Sequence, residues 1–168
     1  MSKKPWGGRF SGKTDKIVEK FTASIGFDKR LYKHDIMGSI AHCKVLEKCK
    51  ILSSVESQKI IKGLKSIEKS IDNGSFQFDS ALEDIHMNIE RELIDKIGAI
   101  GGKLHTARSR NDQIALDIRL YLRNETNAVI KLISDLCRVL IKLAADNLDI
   151  IMPGYTHLQR AQPILFSH

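Results

Sequence analysis

Apolar residues recur along most of the chain at intervals of three and four, the period of a helix. Ile17, Val18 and Phe21 follow Thr14 and Asp15, whose side chains read as a helix start. Leu31, Ile36, Ile40, Cys43 and Leu46 predict a second helix from Asp28 to about Cys49. Ser53 and Ser54, followed by Ser57 and Gln58, suit the cap of a third. That helix carries Ile60, Leu64, Ile67 and Ile71 and stops at Asp72–Gly74. Between Ser75 and Ser80, Phe76 and Phe78 alternate with polar residues, a pattern that fits a strand or a turn. Helix resumes near Ala81, with Ile85, Ile89, Leu93 and Ile97 on one face, and ends around Gly98.

From Asn111 to Met152 there is neither glycine nor proline, and Ile114, Ile118, Leu122, Val129, Ile133, Leu136, Leu140 and Leu143 keep one helical face. A continuous helix of about 38 residues would span roughly 57 Å. That exceeds the ordinary globular range and points to a long bundle, completed by partner chains or further sequence. Pro153 and Gly154 end it, and Pro163 is expected to open another helix with Ile164, Leu165 and Phe166. The chain stops at His168, about one turn into that element, so it is expected to be the N-terminal piece of a longer protein. The predicted fold class is all-α, with an N-terminal arm and helical domain over residues 1–110 and the start of a central helical bundle over 111–168.

With 42% hydrophobic and 28% charged residues, the composition is that of a globular protein. No apolar run reaches the roughly 18 residues of a membrane span, and no apolar signal core follows the start. Three cysteines without CxxC spacing exclude a closed disulfide framework and a cysteine-rich zinc site, so the cytoplasm is the expected location. The net charge of +7 raises the question of an acidic partner. Lys59, Lys62, Lys65 and Lys69, however, lie opposite the apolar residues of their helix, as a solvated face does. Aromatics are only 6%, few for stacking on nucleic acid, and an anionic small substrate suits the charge as well.

Three segments concentrate chemistry. Thr106–Asp112 opens the long helix, where unpaired backbone N–H groups favour an anion. Arg108 and Arg110 can fork onto carboxylates there, with Thr106, Ser109 and Asn111 adding neutral bonds. Alternatively, Asn111 or Asp112 caps the helix and the arginines are solvated. Gly154–Pro163 reads as a loop holding His157, whose ordinary pKa suits proton transfer, unless it is simply exposed. Thr156, Gln159 and Gln162 can orient a polar substrate. Glu83–Glu90 places His86 and Glu90 one helical turn apart, better suited to an ion pair than to a metal site.

Taken together, Trp6–Phe10, Thr22–Ile25, Glu83–His86, Leu104–Gln113 and Gly154–Pro163 resemble the argininosuccinate lyase family of the fumarase/aspartase superfamily. The resemblance implies a homotetramer whose active sites each combine three subunits. It implies reversible cleavage of argininosuccinate to arginine and fumarate, with no metal and no organic cofactor. By matched position it makes Ser24, Asn111 and Thr156 substrate-binding residues, with Arg110 and His86 beside them and His157 one member of the acid/base pair. The family's later glycine- and serine-rich loop, which bears its catalytic serine, has no counterpart here. The chain alone is therefore expected to be inactive. Adenylosuccinate lyase and a non-catalytic crystallin role are the alternatives; neither nucleic acid nor membrane is an expected partner.

Overall fold

A computed structural model describes residues 15–168. The arm and the Trp6–Phe10 motif lie outside the described residues. Among the described residues, six α-helices precede a two-stranded hairpin: α1 (Lys16–Thr22), α2 (Ile25–Asp28), α3 (Tyr32–Lys48), α4 (Ser54–Asp72), α5 (Ile85–Ile97), α6 (Arg110–Ala145), β1 (Ile151–Thr156) and β2 (Gln159–Leu165). Two compact units divide within α6, between Tyr121 and Leu122.

In the first unit, local chemistry accounts for the helix ends. The Asp15 side chain accepts from the Ile17 N–H and starts α1. Ser53 and Glu56 form a reciprocal capping box at α4, each side chain taking the other residue's backbone N–H. The predicted helix 28–49 is divided: α2 ends at Asp28, a 3-10 turn covers Lys29–Leu31, and α3 follows. Ser75–Asp79 contains no strand; a 3-10 turn at Ser80–Leu82 leads into α5. The glycine-rich stretch Gly98–His105 is also 3-10.

The core of this unit lies among α3, α4 and α5. Ile36, Cys43 and Leu46 of α3, Ile60, Leu64 and Ile67 of α4, and Ile85, Ile89 and Leu93 of α5 are buried together. At Gly63 a Cβ would sit 2.6 Å from Leu93 Cδ1, so the glycine lets α4 and α5 approach closely. Lys59, Lys62, Lys65 and Lys69 are exposed on the opposite face of α4, as the pattern predicted.

In the second unit, Leu122, Val129, Ile133, Leu136, Leu140 and Leu143 of α6 are more than two-fifths exposed, and the helix ends at Ala145 rather than Met152. The segment after it corrects two expectations. Gly154–Pro163 is not a loop between helices, and Pro163 opens no helix: β1 and β2 pair antiparallel, with Pro153 opposite Pro163 and a bulge between Pro153 and Tyr155. The helical reading rested on Pro163 and three apolar followers. Cross-strand pairing of Ile151 with Leu165 and Met152 with Ile164 uses the same residues in extended form. Gly154 is required at the bulge, because a Cβ there would meet the Gln162 carbonyl at 2.8 Å.

Leu64→Ala, at a fully buried position, is expected to cost about 2–5 kcal/mol by cavity formation. Ser53→Ala, which breaks the capping box, is expected to cost about 1 kcal/mol. Urea denaturation of the two variants checks the difference.

Candidate active site

The Glu83–His86 segment organises the first unit's polar cluster. Glu83 has φ 65° and ψ −64°, and Asp84 N–H donates to Leu82 O at 2.7 Å, a γ-turn of the strained positive-φ kind. The turn directs the Glu83 carbonyl at α2, where it accepts from both Ser24 and Ile25 N–H at 2.9 Å. Ser24 Oγ donates to Asp28 Oδ2 at 2.5 Å, and Asp28 Oδ1 accepts from Ile85 N–H at 3.2 Å. Burial raises the Asp28 pKa, opposed by these two hydrogen bonds. Asp84 caps α5 by accepting the Met87 N–H at 2.6 Å.

Below that turn lies a buried polar layer shared by α3, α5 and the start of α6. His86 Nδ1 donates to Asp35 Oδ1 at 2.9 Å and lies 3.6 Å from Asp117 Oδ2. Gln113 Nε2 donates to the same Asp35 oxygen at 3.0 Å, and Arg108 Nη1 donates to Ser39 Oγ at 2.9 Å. Burial disfavours charge on His86, but the hydrogen bond and charge of Asp35 outweigh it and raise its pKa. Burial, reinforced by the Asp35 charge, pushes Asp117 up to about 7. Burial also lowers the Arg108 pKa.

Asp35, His86 and Asp117 offer ligand atoms within 4.8 Å of one another. The layer suits a shared proton better than a cation. One Asp35 oxygen already accepts from Gln113 and His86, His86 Nδ1 is committed as a donor, and the Arg108 guanidinium adds positive charge. Among the described residues, Asp117 Oδ2 has no hydrogen-bond partner. A cleft of about 370 Å³ opens beside the layer, lined by Gly38, Val45, Arg108, Leu116 and Asp117 among others.

Arg110 begins α6 at the edge of this layer. Its guanidinium lies 3.5 Å from both Asp84 Oδ2 and Glu90 Oε2, and its Nη1 donates to Gln113 Oε1 at 3.1 Å. Asn111 is exposed and is not the cap: its N–H donates to Ser109 Oγ, while Asp112 accepts the Ser109 N–H. Arg108 is half-buried rather than merely solvated. His86 is fully inside and pairs with Asp35, leaving Glu90 to Arg110 and to His105, 3.5 Å away.

Thr156 and His157 belong to the second unit. They stand at the hairpin end, where His157 and Leu158 have φ 49° and 61°, the two-residue turn that matches strand twist but strains non-glycine residues. Thr156 Oγ1 and His157 Nδ1 are 2.9 Å apart, so the hydroxyl and the ring hold each other at the tip.

A family model described as lyase matches residues 8–168. The chain belongs to this lyase family. The argininosuccinate lyases of Syntrophotalea carbinolica and Geobacter metallireducens are each 61% identical to it, over 100% and 98% of this chain. That of Acetivibrio thermocellus is 58% identical over 98% of the chain. The chain spans 36% of the length of each of these curated relatives. Among solved structures, an EDDS lyase variant with bound fumarate is 27% identical with a TM-score of 0.68, over 94% of this chain and 31% of that one. The resemblance read from the motifs is borne out, and so is the all-α, fumarase/aspartase-like fold, with the hairpin as an addition.

Ser24, His86 and Arg110 are thus tied to one cluster through the 83–86 segment, and Asn111 follows Arg110 on α6. Residues that motif reading passed over are Asp28, Asp35, Gln113 and Asp117. The available signal was a polar residue at a core position, as at Asp35 beside Ile36 and at Gln113 and Asp117 one turn apart.

Because Asp117 holds its proton to about pH 7 when folded and only to about 3.8 otherwise, the folded state binds more protons between these values. Its contribution to stability is greatest below about pH 4, falls as pH rises and is fully lost above about 7; the raised His86 pKa acts in the same direction at higher pH. Asp117→Asn is expected to flatten the loss between pH 4 and 7. It should gain on the order of a few kcal/mol relative to the parent at pH 8, measured by urea denaturation across pH.

Proposed function

We propose that this chain is the N-terminal part of a lyase that cleaves argininosuccinate reversibly to arginine and fumarate. The observation that carries the reading is 61% identity to an argininosuccinate lyase over all 168 residues. Elimination removes a proton from carbon beside a carboxylate, and the carbanion spreads charge onto the carboxylate oxygens. Fixed donors aimed at those oxygens can each contribute about 3–4 kcal/mol to the transition state. Ser24, Asn111, Thr156 and Arg110 are the proposed donors, with His86 proposed as a neighbour of the site. Arg110 is held by Asp84 and Glu90 before any substrate arrives, which reduces the reorganisation needed on binding, whereas Ser24 gives its one hydroxyl proton to Asp28 and must release that bond to donate to the substrate.

His157 is the proposed member of the acid/base pair, since an imidazole titrates near neutrality. Its place on a strained turn supports the role, because left-handed non-glycine residues cluster at functional sites. The reaction needs no metal and no organic cofactor. We further propose a cytoplasmic homotetramer, with residues 1–110 as one domain and 111–168 as the start of the central bundle. The exposed apolar stripe of α6 supports association with other helices. Among the described residues no helix is long and apolar enough to cross a membrane. The chain alone is proposed to be inactive, because it has no counterpart of the family's serine loop.

The test joins this chain to the remaining two thirds of the Syntrophotalea carbinolica relative and follows fumarate release from argininosuccinate. The joined protein is expected to release fumarate, the 168-residue chain alone to release none, and His157→Ala to lower the rate about 10²–10⁴-fold. A folded, tetrameric joined protein without release would overturn the reading and turn attention to adenylosuccinate or a structural role.

A further inference from the structure

We infer that Gln113 and Asp35 are positioning residues that join Arg110 to His86 through one buried chain of hydrogen bonds. Their importance to the reaction rests on the reading of Arg110 and His86 as neighbours of the substrate. The chain runs from Arg110 Nη1 to Gln113 Oε1 at 3.1 Å, from Gln113 Nε2 to Asp35 Oδ1 at 3.0 Å, and from the same oxygen to His86 Nδ1 at 2.9 Å. It crosses from α6 to α3 to α5. Gln113, Asp35 and His86 are 5%, 2% and 2% exposed, so water cannot readily take over a missing link.

The residue types leave little choice at position 113. A guanidinium only donates and a carboxylate only accepts. The group between them must accept at one end and donate at the other, as an amide does. Its oxygen faces Arg110 and its nitrogen faces Asp35, an orientation both partners enforce. Glutamate could accept from Arg110 but has no proton for Asp35, and it would set a second negative charge against it. Methionine, of similar length, would serve neither end.

At the far end, Asp35 commits His86 Nδ1 as a donor, so Nε2 is the ring nitrogen whose proton can change. Arg110 lies three residues before Gln113, on the same face of α6. A displacement of the guanidinium therefore reaches the imidazole through two fixed links, and the two groups keep a set separation.

Gln113→Met and Gln113→Glu test the inference, the second variant being nearly isosteric should the first not fold. In the 168-residue chain, proton NMR reads exchange of the His86 Nδ1 hydrogen. Both variants are expected to speed it at least about tenfold, whereas the core variant Leu64→Val, which touches no link, leaves it unchanged. In the joined protein both variants are expected to lower kcat/KM for argininosuccinate about 10–100-fold and to shift its pH profile. An unchanged His86 signal in a folded variant, or an equal change in Leu64→Val, overturns the inference. So does an unaltered kcat/KM and pH profile in an active joined protein. Absence of cleavage by the parent joined protein would sink the functional reading instead, while the NMR comparison still decides the chain of bonds.

Discussion

The contact between Asp35 and His86 is the constraint on which the first unit turns. Both side chains are almost wholly removed from water, and neither could be placed there alone without a penalty of several kcal/mol. Because one belongs to α3 and the other to α5, satisfying them fixes how these helices meet. The apolar contacts among Ile36, Ile60, Leu64, Ile85 and Leu93 supply the larger driving force, yet hydrophobic burial has little direction. A polar pair tolerates few alternative arrangements and so selects one packing among several of similar area.

The same layer receives the beginning of α6, a helix whose only buried residues are Gln113 and Asp117. The start of the helix meets α3 through these polar side chains, with Leu116 packed at Gly38 and Tyr121 edge-on to His34 beside them. The apolar stripe of α6, continued from Leu122 to Leu143, stays available for other helices. The two ends of the helix differ physically: buried hydrogen bonds set the register at its start, and exposed apolar residues dominate the rest. At the edge of the layer, the γ-turn at Glu83 is held in place because its carbonyl accepts from the N–H groups of Ser24 and Ile25 at the start of α2, which offsets the backbone strain.

Much of this was legible beforehand. The periodic apolar positions located α3, α4, α5 and α6 within a few residues, and Ser53 was recognisable as a cap. The family resemblance named Ser24, His86, Arg110, Asn111, Thr156 and His157 by matched position, and the structure ties the first three of these to one cluster. The resemblance gave no role to Asp28, Asp35, Gln113 and Asp117, each of which has a partner far along the chain: Ile85 lies 57 residues from Asp28, His86 and Gln113 lie 51 and 78 residues from Asp35, and Asp117 faces His86 of another helix. No local pattern marks such a pairing. The hairpin was missed for a different reason: Ile164, Leu165 and Phe166 form too short an apolar run to separate a helix start from a strand. Its turn also places His157 and Leu158 in a left-handed conformation that glycine or asparagine would normally signal.

The prolines of that hairpin carry a further consequence. Phe166 N–H donates to Ile150 O, and counting along the strands puts Pro153 and Pro163 at a pair whose backbone groups point outward. Each outer edge of the two-stranded ribbon therefore lacks one donor, at facing positions. A third strand approaching from either side meets a gap in the ladder. A ribbon rich in exposed apolar residues is in this way protected from sheet extension, and with it from the edge-to-edge stacking that leads to aggregates.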